Sequence, residues 1–276
     1  MRIAGLFAGI GGFELGMHRA GHSTELMCDV LPAARAVLTA RFPGIEYRDD
    51  ITRLRSLPAG VDTICAGFPC QDLSQAGKAA GLGGERSGLI GEVFRLLSRR
   101  RVPTVIVENV PFMLQLSGGN AMRAITDEFE RRGYRWAYRV VDTYGFGLPQ
   151  RRERVYLVAS REVDPAAVLL ADDRPLQRPA SALGVLAHGF YWTEGLGGLG
   201  WAVDAVPTLK NGSTIGIPSP PAVLMPDGSL IISILREAGG FVPKADTVIE
   251  AGDEVLVVLD PGLEEAIKDQ FAGNGS

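Results

Sequence analysis

The chain has 276 residues, of which 46% are hydrophobic and 22% charged, and its formal net charge at pH 7 is −4. This length and apolar content are sufficient for one large globular domain or two smaller ones. No segment approaches the roughly 18 apolar residues of a membrane span, and the N-terminus lacks the pattern of a secretory signal. We therefore expect a cytoplasmic protein with no membrane partner.

The charge is unevenly distributed along the chain. Residues 226–276 carry 10 acidic and 3 basic residues, a net charge of −7, which leaves 25 basic and 22 acidic residues, or +3, for the first 225. Arginines are clustered within 99–101, 131–132 and 151–154. Such a cluster is commonly a solvated helix face, and contact with nucleic-acid phosphates is the alternative that the sequence leaves open.

The first 135 residues alternate between strand-like and helix-like segments. The predicted strands are Arg2–Ala8, Thr24–Cys28, Asp62–Gly67 and Thr104–Val107. The predicted helices are Gly11–Ala20, with apolar positions Phe13, Leu15, Met17 and Ala20, then Pro32–Phe42, Leu89–Leu97 and Asn120–Arg132. This alternation predicts an α/β fold with a doubly wound, mostly parallel sheet.

The rest of the chain has a different pattern. Arg135–Asp142 and Arg154–Ala159 predict an antiparallel pair at the sheet edge. Residues 161–225, rich in Gly and Pro, predict a loop-dominated insertion or small subdomain. In the tail, the pattern predicts a helix over Gly262–Phe271 and three strands, over Ser229–Leu235, Lys244–Glu250 and Glu254–Leu259. We therefore expect three parts, residues 1–160, 161–225 and a small β-rich region over 226–276.

The three cysteines differ in their surroundings. Cys28 and Cys65 lie inside apolar strand-like runs, which favours buried, inert thiols, and the cysteine spacing predicts no metal site. Cys70 follows a predicted strand end, as does the glycine-rich Gly9-Ile10-Gly11-Gly12. Because parallel strands end at the same edge of a sheet, the glycine loop and Cys70 should lie together, which makes Cys70 a candidate nucleophile.

Four segments carry a resemblance to a known family. They are Phe7–Phe13 (FAGIGGF), Gly67–Gln71 (GFPCQ), Glu108–Val110 (ENV) and Gln150–Arg154 (QRRER). In this order and at about this spacing, residues 2–225 resemble the DNA (cytosine-5) methyltransferases. The resemblance implies the Rossmann-like fold of class I S-adenosylmethionine-dependent methyltransferases, with residues 1–160 as the catalytic domain and 161–225 as a partial target-recognition region. It also implies methylation of double-stranded DNA, of the restriction-modification type.

The chemistry of this family requires a nucleophile and an acid. Carbon 5 of cytosine is a poor nucleophile, so a thiolate must first add at carbon 6, and the resemblance assigns this role to Cys70. It assigns protonation of ring nitrogen 3 to Glu108. Arg154 is expected to reach the cytosine carbonyl oxygen and Arg152 to order the loop around Cys70. Residues two apart on one strand share a face, so both arginines should point the same way.

The resemblance also implies the residues around S-adenosylmethionine and DNA. Phe7 is expected on the adenine, Gly9 and Gly11 beside the methionine part, and Asp50 at the adenine amine. Asp29, where the family more often has glutamate, is expected at the ribose hydroxyls; a helix cap before Pro32 is its open alternative. The DNA contacts implied are Gln71, Ser74 and Thr208, with the target base flipped out of the duplex. The missing third glycine of the dinucleotide fingerprint disfavours an NAD-dependent oxidoreductase.

The end of the chain departs from the family. The closing helix that normally completes the cofactor site has no counterpart, and residues 228–271 instead resemble the C-terminal lobe of RCK/TrkA-type potassium-uptake regulators through Arg236-Glu237, Pro243 and Gly252–Leu256. This pattern predicts a chimeric or rearranged chain, whose tail either docks poorly or serves dimerisation. The alternative function is a non-catalytic or impaired regulator that binds nucleotide or DNA.

Overall fold

The computed structural model describes residues 1–69, 88–171, 186–192, 199–207, 222–224, 230–236, 239–241 and 254–258. The chain divides into two compact units, one of residues 1–141 and 153–173, the other of residues 142–152 and 174–276. The predicted three-part division, at 160 and 225, stays a prediction.

The elements of the described residues are as follows, in chain order. The strands are β1 (Arg2–Leu6), β2 (Ser23–Cys28), β3 (Glu46–Arg48), β4 (Thr63–Ala66), β5 (Thr104–Asn109), β6 (Arg135–Asp142), β7 (Gln150–Arg151), β8 (Glu153–Ser160), β9 (His188–Trp192), β10 (Leu199–Val203), β11 (Val206–Pro207), β12 (Ala222–Leu224), β13 (Leu230–Arg236), β14 (Gly239–Phe241) and β15 (Glu254–Val258). The α-helices are α1 (Gly12–Arg19), α2 (Pro32–Arg41), α3 (Gly88–Arg99), α4 (Asn120–Arg131) and α5 (Pro165–Leu169). Short 3-10 helices span Ile51–Arg53, Pro111–Leu114, Leu116–Gly119 and Thr143–Phe146.

The first unit is built on a seven-stranded sheet of the described residues. Its strand order is β3-β2-β1-β4-β5-β8-β6. The pairs from β3 to β5 are parallel, and β8 runs antiparallel to β5. The predicted mostly parallel sheet with an antiparallel edge is therefore confirmed. The order reverses between β1 and β4, and in such sheets ligands bind beyond the strand ends at the reversal.

Apolar strand residues form the core of this unit. All four residues of β4 are buried, which is typical of a parallel strand covered on both faces. Cys28 and Cys65 are buried free thiols, as predicted. On α4, the fully buried Phe129 packs edge-to-face against Phe94 of α3, with ring centroids 5.0 Å apart. These contacts fix the sheet whose strand ends carry the candidate site.

The second unit contains an antiparallel sheet that the sequence did not predict in full. Its order is β10-β9-β12-β13-β14, with β15 also paired to β13. The expected strands of the tail are confirmed as β13 and β15, but the loop-dominated interpretation of residues 161–225 is wrong for β9, β10, β11 and β12. These strands have two to five residues, and β9 and β10 each contain a glycine, so their stability depends on pairing, such as Val223 with Ile231, and not on local pattern. The predicted strand 244–250 and helix 262–271 lie outside the described residues.

No helix within the described ranges is long and apolar enough to cross a membrane.

A glycine-rich loop connects β1 to α1 and is anchored to the end of β2. Phe7, Gly9 and Gly11 all have a positive φ, of 57°, 55° and 85°. The amide of Ala8 donates to the Cys28 carbonyl at 3.0 Å, and that of Gly11 donates to the Ala8 carbonyl at 2.9 Å. A left-handed conformation is uncommon for a residue with a side chain, so Phe7 is held in a strained backbone by its surroundings.

The two glycines of this loop differ in the space around them. Nothing lies within 4 Å of a side chain built on Gly9, whereas one built on Gly11 would collide with Phe42 and Leu38. We expect Gly9→Ala to lower the free energy of unfolding by about 1 kcal/mol, from the left-handed φ alone. We expect Gly11→Ala to lower it by about 2–4 kcal/mol, because overpacking adds to the same φ penalty. Urea unfolding without ligand measures both values, and equal losses would contradict the assigned crowding at Gly11.

Candidate active site

Asp29 is largely buried at the end of β2 and uses both carboxylate oxygens to brace the glycine loop. Its Oδ2 accepts a hydrogen bond from the Gly9 amide at 2.7 Å, and its Oδ1 accepts one from the Leu31 amide at 2.9 Å. The Tyr47 hydroxyl donates to its backbone carbonyl. A carboxylate oxygen can accept more than one hydrogen bond, so Asp29 retains acceptor capacity for a hydroxyl ligand. The N-cap of α2 is Leu31, without a side-chain cap bond, so the alternative of Asp29 as the cap of this helix is wrong, and its expected contact with the ribose hydroxyls stays a prediction.

Asp50 acts as the cap of the 3-10 helix Ile51–Arg53. Its Oδ1 accepts hydrogen bonds from the Thr52 amide at 2.8 Å and from the Thr52 hydroxyl at 2.7 Å. These bonds hold the pKa of Asp50 below its ordinary value. Asp50 lies near Cys28, whose pKa is raised to about 12 by burial and by the charges of Asp29, Asp50 and Asp49. Cys28 is therefore an inert thiol, and the expected contact of Asp50 with adenine remains a proposal.

Glu108 and Arg154 form an ion pair at the edge of the sheet. Arg154 Nε lies 2.9 Å from Glu108 Oε1, and the two side chains are 17% and 24% exposed. The pairing of β5 with β8 sets Glu108 opposite Tyr156, which places Arg154 two residues before that pair on β8.

The glycine loop and the end of β4 lie beside this ion pair. A side chain built on Gly67 would lie 3.3 Å from Glu108 Oε2 and 3.7 Å from the Phe7 carbonyl oxygen. The structure thus brings together Phe7, Gly67, Glu108 and Arg154, at the edge where the switch in strand order predicts a ligand.

Asn109 links this edge to the segment that leads to Cys70. Its side chain is 4% exposed, and its amide nitrogen donates to the Phe68 carbonyl at 2.9 Å. Its Oδ1 accepts from the Val110 amide at 2.8 Å. Asn109 therefore orients the chain two residues before Cys70. Cys70 itself, together with Gln71, Ser74 and Thr208, lies outside the described residues.

Arg152 does not share a continuous strand with Arg154. The predicted strand is split into β7 and β8, and Arg152 falls between them. Its amide donates to Asp142 Oδ1 at 3.2 Å and its carbonyl accepts from the Thr143 amide at 3.1 Å, so local bonds to the preceding turn replace the strand ladder at this residue. The expectation that both arginines lie on one continuous strand is therefore wrong, and their shared face stays a prediction.

Glu14 is a residue of this region that the sequence interpretation missed. It lies in the first turn of α1 and is 1% exposed, whereas Leu15, expected on the buried face, is 39% exposed. Neither oxygen of Glu14 has a hydrogen-bond partner of normal geometry among the described residues. Burial raises its pKa to about 7, its own amide offsets this in part, and the charge of Asp29 raises it further. The signal available in the sequence was Gly5, which leaves room for a side chain from α1.

The hydrogen bond from the Asn109 side-chain amide to the Phe68 carbonyl predicts a loss of stability when that amide is removed. We expect Asn109→Ala and Asn109→Asp each to lower the free energy of unfolding by about 1–3 kcal/mol, because both leave the buried Phe68 carbonyl without its donor. Asn120→Ala, at an exposed position in α4, is the matched control and should change it by less than about 0.5 kcal/mol. Urea unfolding of the three variants measures this, and wild-type stability of the aspartate variant would refute the role of the amide.

The buried Glu14 predicts a pH dependence of stability. The folded protein holds this proton more tightly than the unfolded chain, so the free energy of unfolding falls as pH rises from 4.5 to about 7 and then levels off. The full loss is about 3 kcal/mol. Glu14→Gln should lack this component, whereas Glu46→Gln, at an exposed position on β3, should retain it. Urea unfolding at pH 5, 6, 7 and 8 tests this, and equal slopes for wild type and Glu14→Gln would contradict it.

The chain matches a known protein family and several of its members. Residues 1–181 match the family of C-5 cytosine-specific DNA methylases. The type II methyltransferase M2.BsuMI of Bacillus subtilis (strain 168) is 49% identical over 247 residues, which cover 86% of this chain and 63% of that protein. M.BsuFI of Bacillus subtilis is 37% identical, and M.MspI of Moraxella sp is 34% identical, over 55% and 56% of this chain and 37% of each relative.

This chain therefore spans less than two thirds of the length of these relatives. The comparisons do not support the resemblance of residues 228–271 to RCK/TrkA-type regulators. The residues matched to the family include the segments at the carboxyl ends of β1, β4 and β5, together with β8 and its Arg154. The chain belongs to the C-5 cytosine-specific DNA methylase family.

Proposed function

We propose that this protein transfers a methyl group from S-adenosylmethionine to carbon 5 of cytosine in double-stranded DNA, as a cytoplasmic modification enzyme of the restriction-modification type. The observation that carries the proposal is the Glu108–Arg154 ion pair beside Phe7 and Gly67. This pair lies where the glycine loop and the segment leading to Cys70 leave adjacent strands. The names of the type II methyltransferase relatives support the same reaction.

The residues around the glycine loop fit S-adenosylmethionine. The Asp29 carboxylate binds the loop, which suits a ligand with ribose hydroxyls and disfavours a pyrophosphate. Phe7 is proposed to pack on the adenine and Gly9 and Gly11 to border the methionine part. When bound, the cofactor supplies an electrophilic methyl group.

Cys70 is proposed to activate the cytosine ring. Its thiolate forms a bond to carbon 6, and the electron pair of the 5,6 double bond moves into the ring, so that carbon 5 becomes nucleophilic. After carbon 5 has gained the methyl group, a base removes its proton and the bond from carbon 6 to Cys70 breaks, which restores the ring and the thiolate. Asn109 serves as a positioning residue, because it fixes the Phe68 carbonyl two residues before Cys70.

Glu108 and Arg154 are proposed to act on the polar edge of the flipped base. Glu108 contacts nitrogen 3 and relays a proton to it from solvent when thiolate addition places negative charge on the ring. Arg154 fixes the orientation of Glu108 through its 2.9 Å contact and presents a guanidinium, whose several donors can also reach the carbonyl oxygen. Arg152 is proposed to order the Cys70 loop from the turn that holds its backbone.

The remaining assignments concern DNA and assembly. Gln71 and Ser74, next to Cys70 in sequence, are proposed to contact the DNA around the flipped base, and Thr208 to lie in the target-recognition region. A mildly basic net charge over residues 1–225 supports contact with phosphates. Self-association through the acidic residues 226–276 is proposed as a separate property of the tail.

Substitution of Cys70 tests the reaction. We expect Cys70→Ser to abolish methyl incorporation into double-stranded DNA from labelled S-adenosylmethionine, because a serine hydroxyl is far less nucleophilic than a thiolate. Cys65→Ala, at a buried thiol in β4, is the matched control and should retain incorporation once shown to be folded.

A second measurement detects the covalent intermediate. DNA with 5-fluorocytosine at the target should trap the wild-type protein in a complex that survives denaturing electrophoresis, because fluorine cannot leave carbon 5 as a proton does. Trapping by Cys70→Ser would remove Cys70 from the mechanism. Binding of cofactor and DNA without incorporation by the wild-type protein would favour the non-catalytic regulator.

A further inference from the structure

The buried carboxyl group of Glu14 is in an unfavourable environment, and the proposed reaction gives it no role. Its carboxyl group is buried against β1, where its Oε1 occupies the place that a side chain on Gly5 would fill. Among the described residues neither oxygen has a hydrogen-bond partner of normal geometry. A buried polar group without a partner is unfavourable and is rare in native proteins, so its persistence calls for a ligand or a function.

The position of Glu14 relates it to the glycine loop. Gly5 pairs with Met27 of β2 and Cys65 of β4, and the loop begins two residues later at Phe7. Glu14 itself follows the loop by three residues, after Gly11 caps α1. The carboxyl group therefore lies against the same strand whose end carries the loop, one residue before β1 ends at Leu6.

The ionisable groups around Glu14 do not neutralise it. Asp29, at the end of β2, is of the same sign and raises the pKa of Glu14, whereas β1 contributes only Gly5 at this point. From β4 the Cys65 thiol faces it, and burial together with the Glu14 charge raises the pKa of that thiol. A cationic ligand at the loop would supply the favourable electrostatic interaction that these neighbours do not.

We propose that Glu14 is a positioning residue that holds a proton when the loop is empty and releases it to solvent when S-adenosylmethionine binds. The carboxylate then attracts the sulfonium cation and favours S-adenosylmethionine over S-adenosylhomocysteine, which lacks that charge. This inference rests on the proposed function for its ligand. The O–H bond of the Glu14 carboxyl group breaks, its electron pair stays on the carboxylate, and the proton is taken up by the buffer.

The coupling between proton release and ligand binding determines how strongly the affinity changes with pH. With a pKa of about 7, roughly half of the Glu14 carboxyls carry a proton at pH 7, so full ionisation on binding releases up to about half a proton per ligand. Affinity for S-adenosylmethionine should accordingly rise about threefold or more between pH 6 and pH 8. After methyl transfer the sulfonium charge is gone, so Glu14 regains its proton and the product is held less tightly.

Calorimetry measures the released protons directly. S-adenosylmethionine is titrated into the protein at pH 7 in phosphate and in Tris, whose ionisation enthalpies differ, and the difference in binding heat gives the proton count. We expect about 0.3–0.5 protons for wild type and for the exposed control Glu46→Gln, and a value near zero for Glu14→Gln. S-adenosylhomocysteine, which has the same amino and carboxyl groups, should give a value near zero with wild type.

The outcomes separate this inference from the proposed function. Equal proton release by wild type and Glu14→Gln, or equal release with both ligands, overturns the role of Glu14 and leaves the methyltransferase proposal standing. No binding of S-adenosylmethionine at all overturns both. If Glu14→Gln does not fold, infrared difference spectra of the wild-type protein decide: loss of a protonated-carboxyl band on binding supports the inference, and an unchanged band overturns it.

Discussion

The parallel pairing of β1 with β4 is the contact on which the candidate site depends. The register that sets Gly5 beside Cys65 also brings Leu6 and Ala66, the last residues of the two strands, side by side. Each strand continues into a segment with chemical groups, the glycine loop from β1 and the Phe68-Pro69-Cys70 segment from β4. The strand order changes direction between them, so neither helix layer covers the gap.

Carboxyl groups are placed at this edge in two different ways. Glu108 has a guanidinium partner in Arg154 and remains partly exposed, which suits a group that must meet substrate. Glu14 is enclosed and its neighbours are apolar or acidic. In both cases a glycine provides the space that the carboxyl group needs, Gly5 within β1 and Gly67 directly after β4. The glycines therefore shape the electrostatics of the edge as well as its backbone.

The strands and helices of the first unit were predicted well, because an alternation of strand and helix patterns along the chain indicates the layers of an α/β fold directly. The strands β1, β2, β4, β5, β6 and β8 and the helices α1 to α4 fall within a few residues of the expected bounds. The failures arise where a neighbour in space decides the outcome. Two of the missed strands pair with segments far along the chain, β9 with β12 and β11 with β7, and Arg152 leaves the strand because Asp142 and Thr143 bind its backbone.

The candidate site shows the same limit at the level of single residues. The motifs identified Glu108, Arg154 and Asp29, but not that Asp29 binds the Gly9 amide or that the Phe68 carbonyl is the group that Asn109 binds. Helical periodicity placed Leu15 inside and passed over Glu14, since a charged residue is normally assigned to the solvent face. Only the space above Gly5 explains why the reverse occurs.

The packing of Glu14 onto Gly5 also restricts how this chain can diverge. A methyl group at position 5 would meet the end of the Glu14 side chain, so Glu14 must move away or be replaced by a shorter residue, and a shorter residue at 14 leaves a void unless position 5 grows. Substitutions at the two positions should consequently occur as pairs among homologous sequences. Position 5 of β1 and position 14 in the first turn of α1 are thus expected to change together.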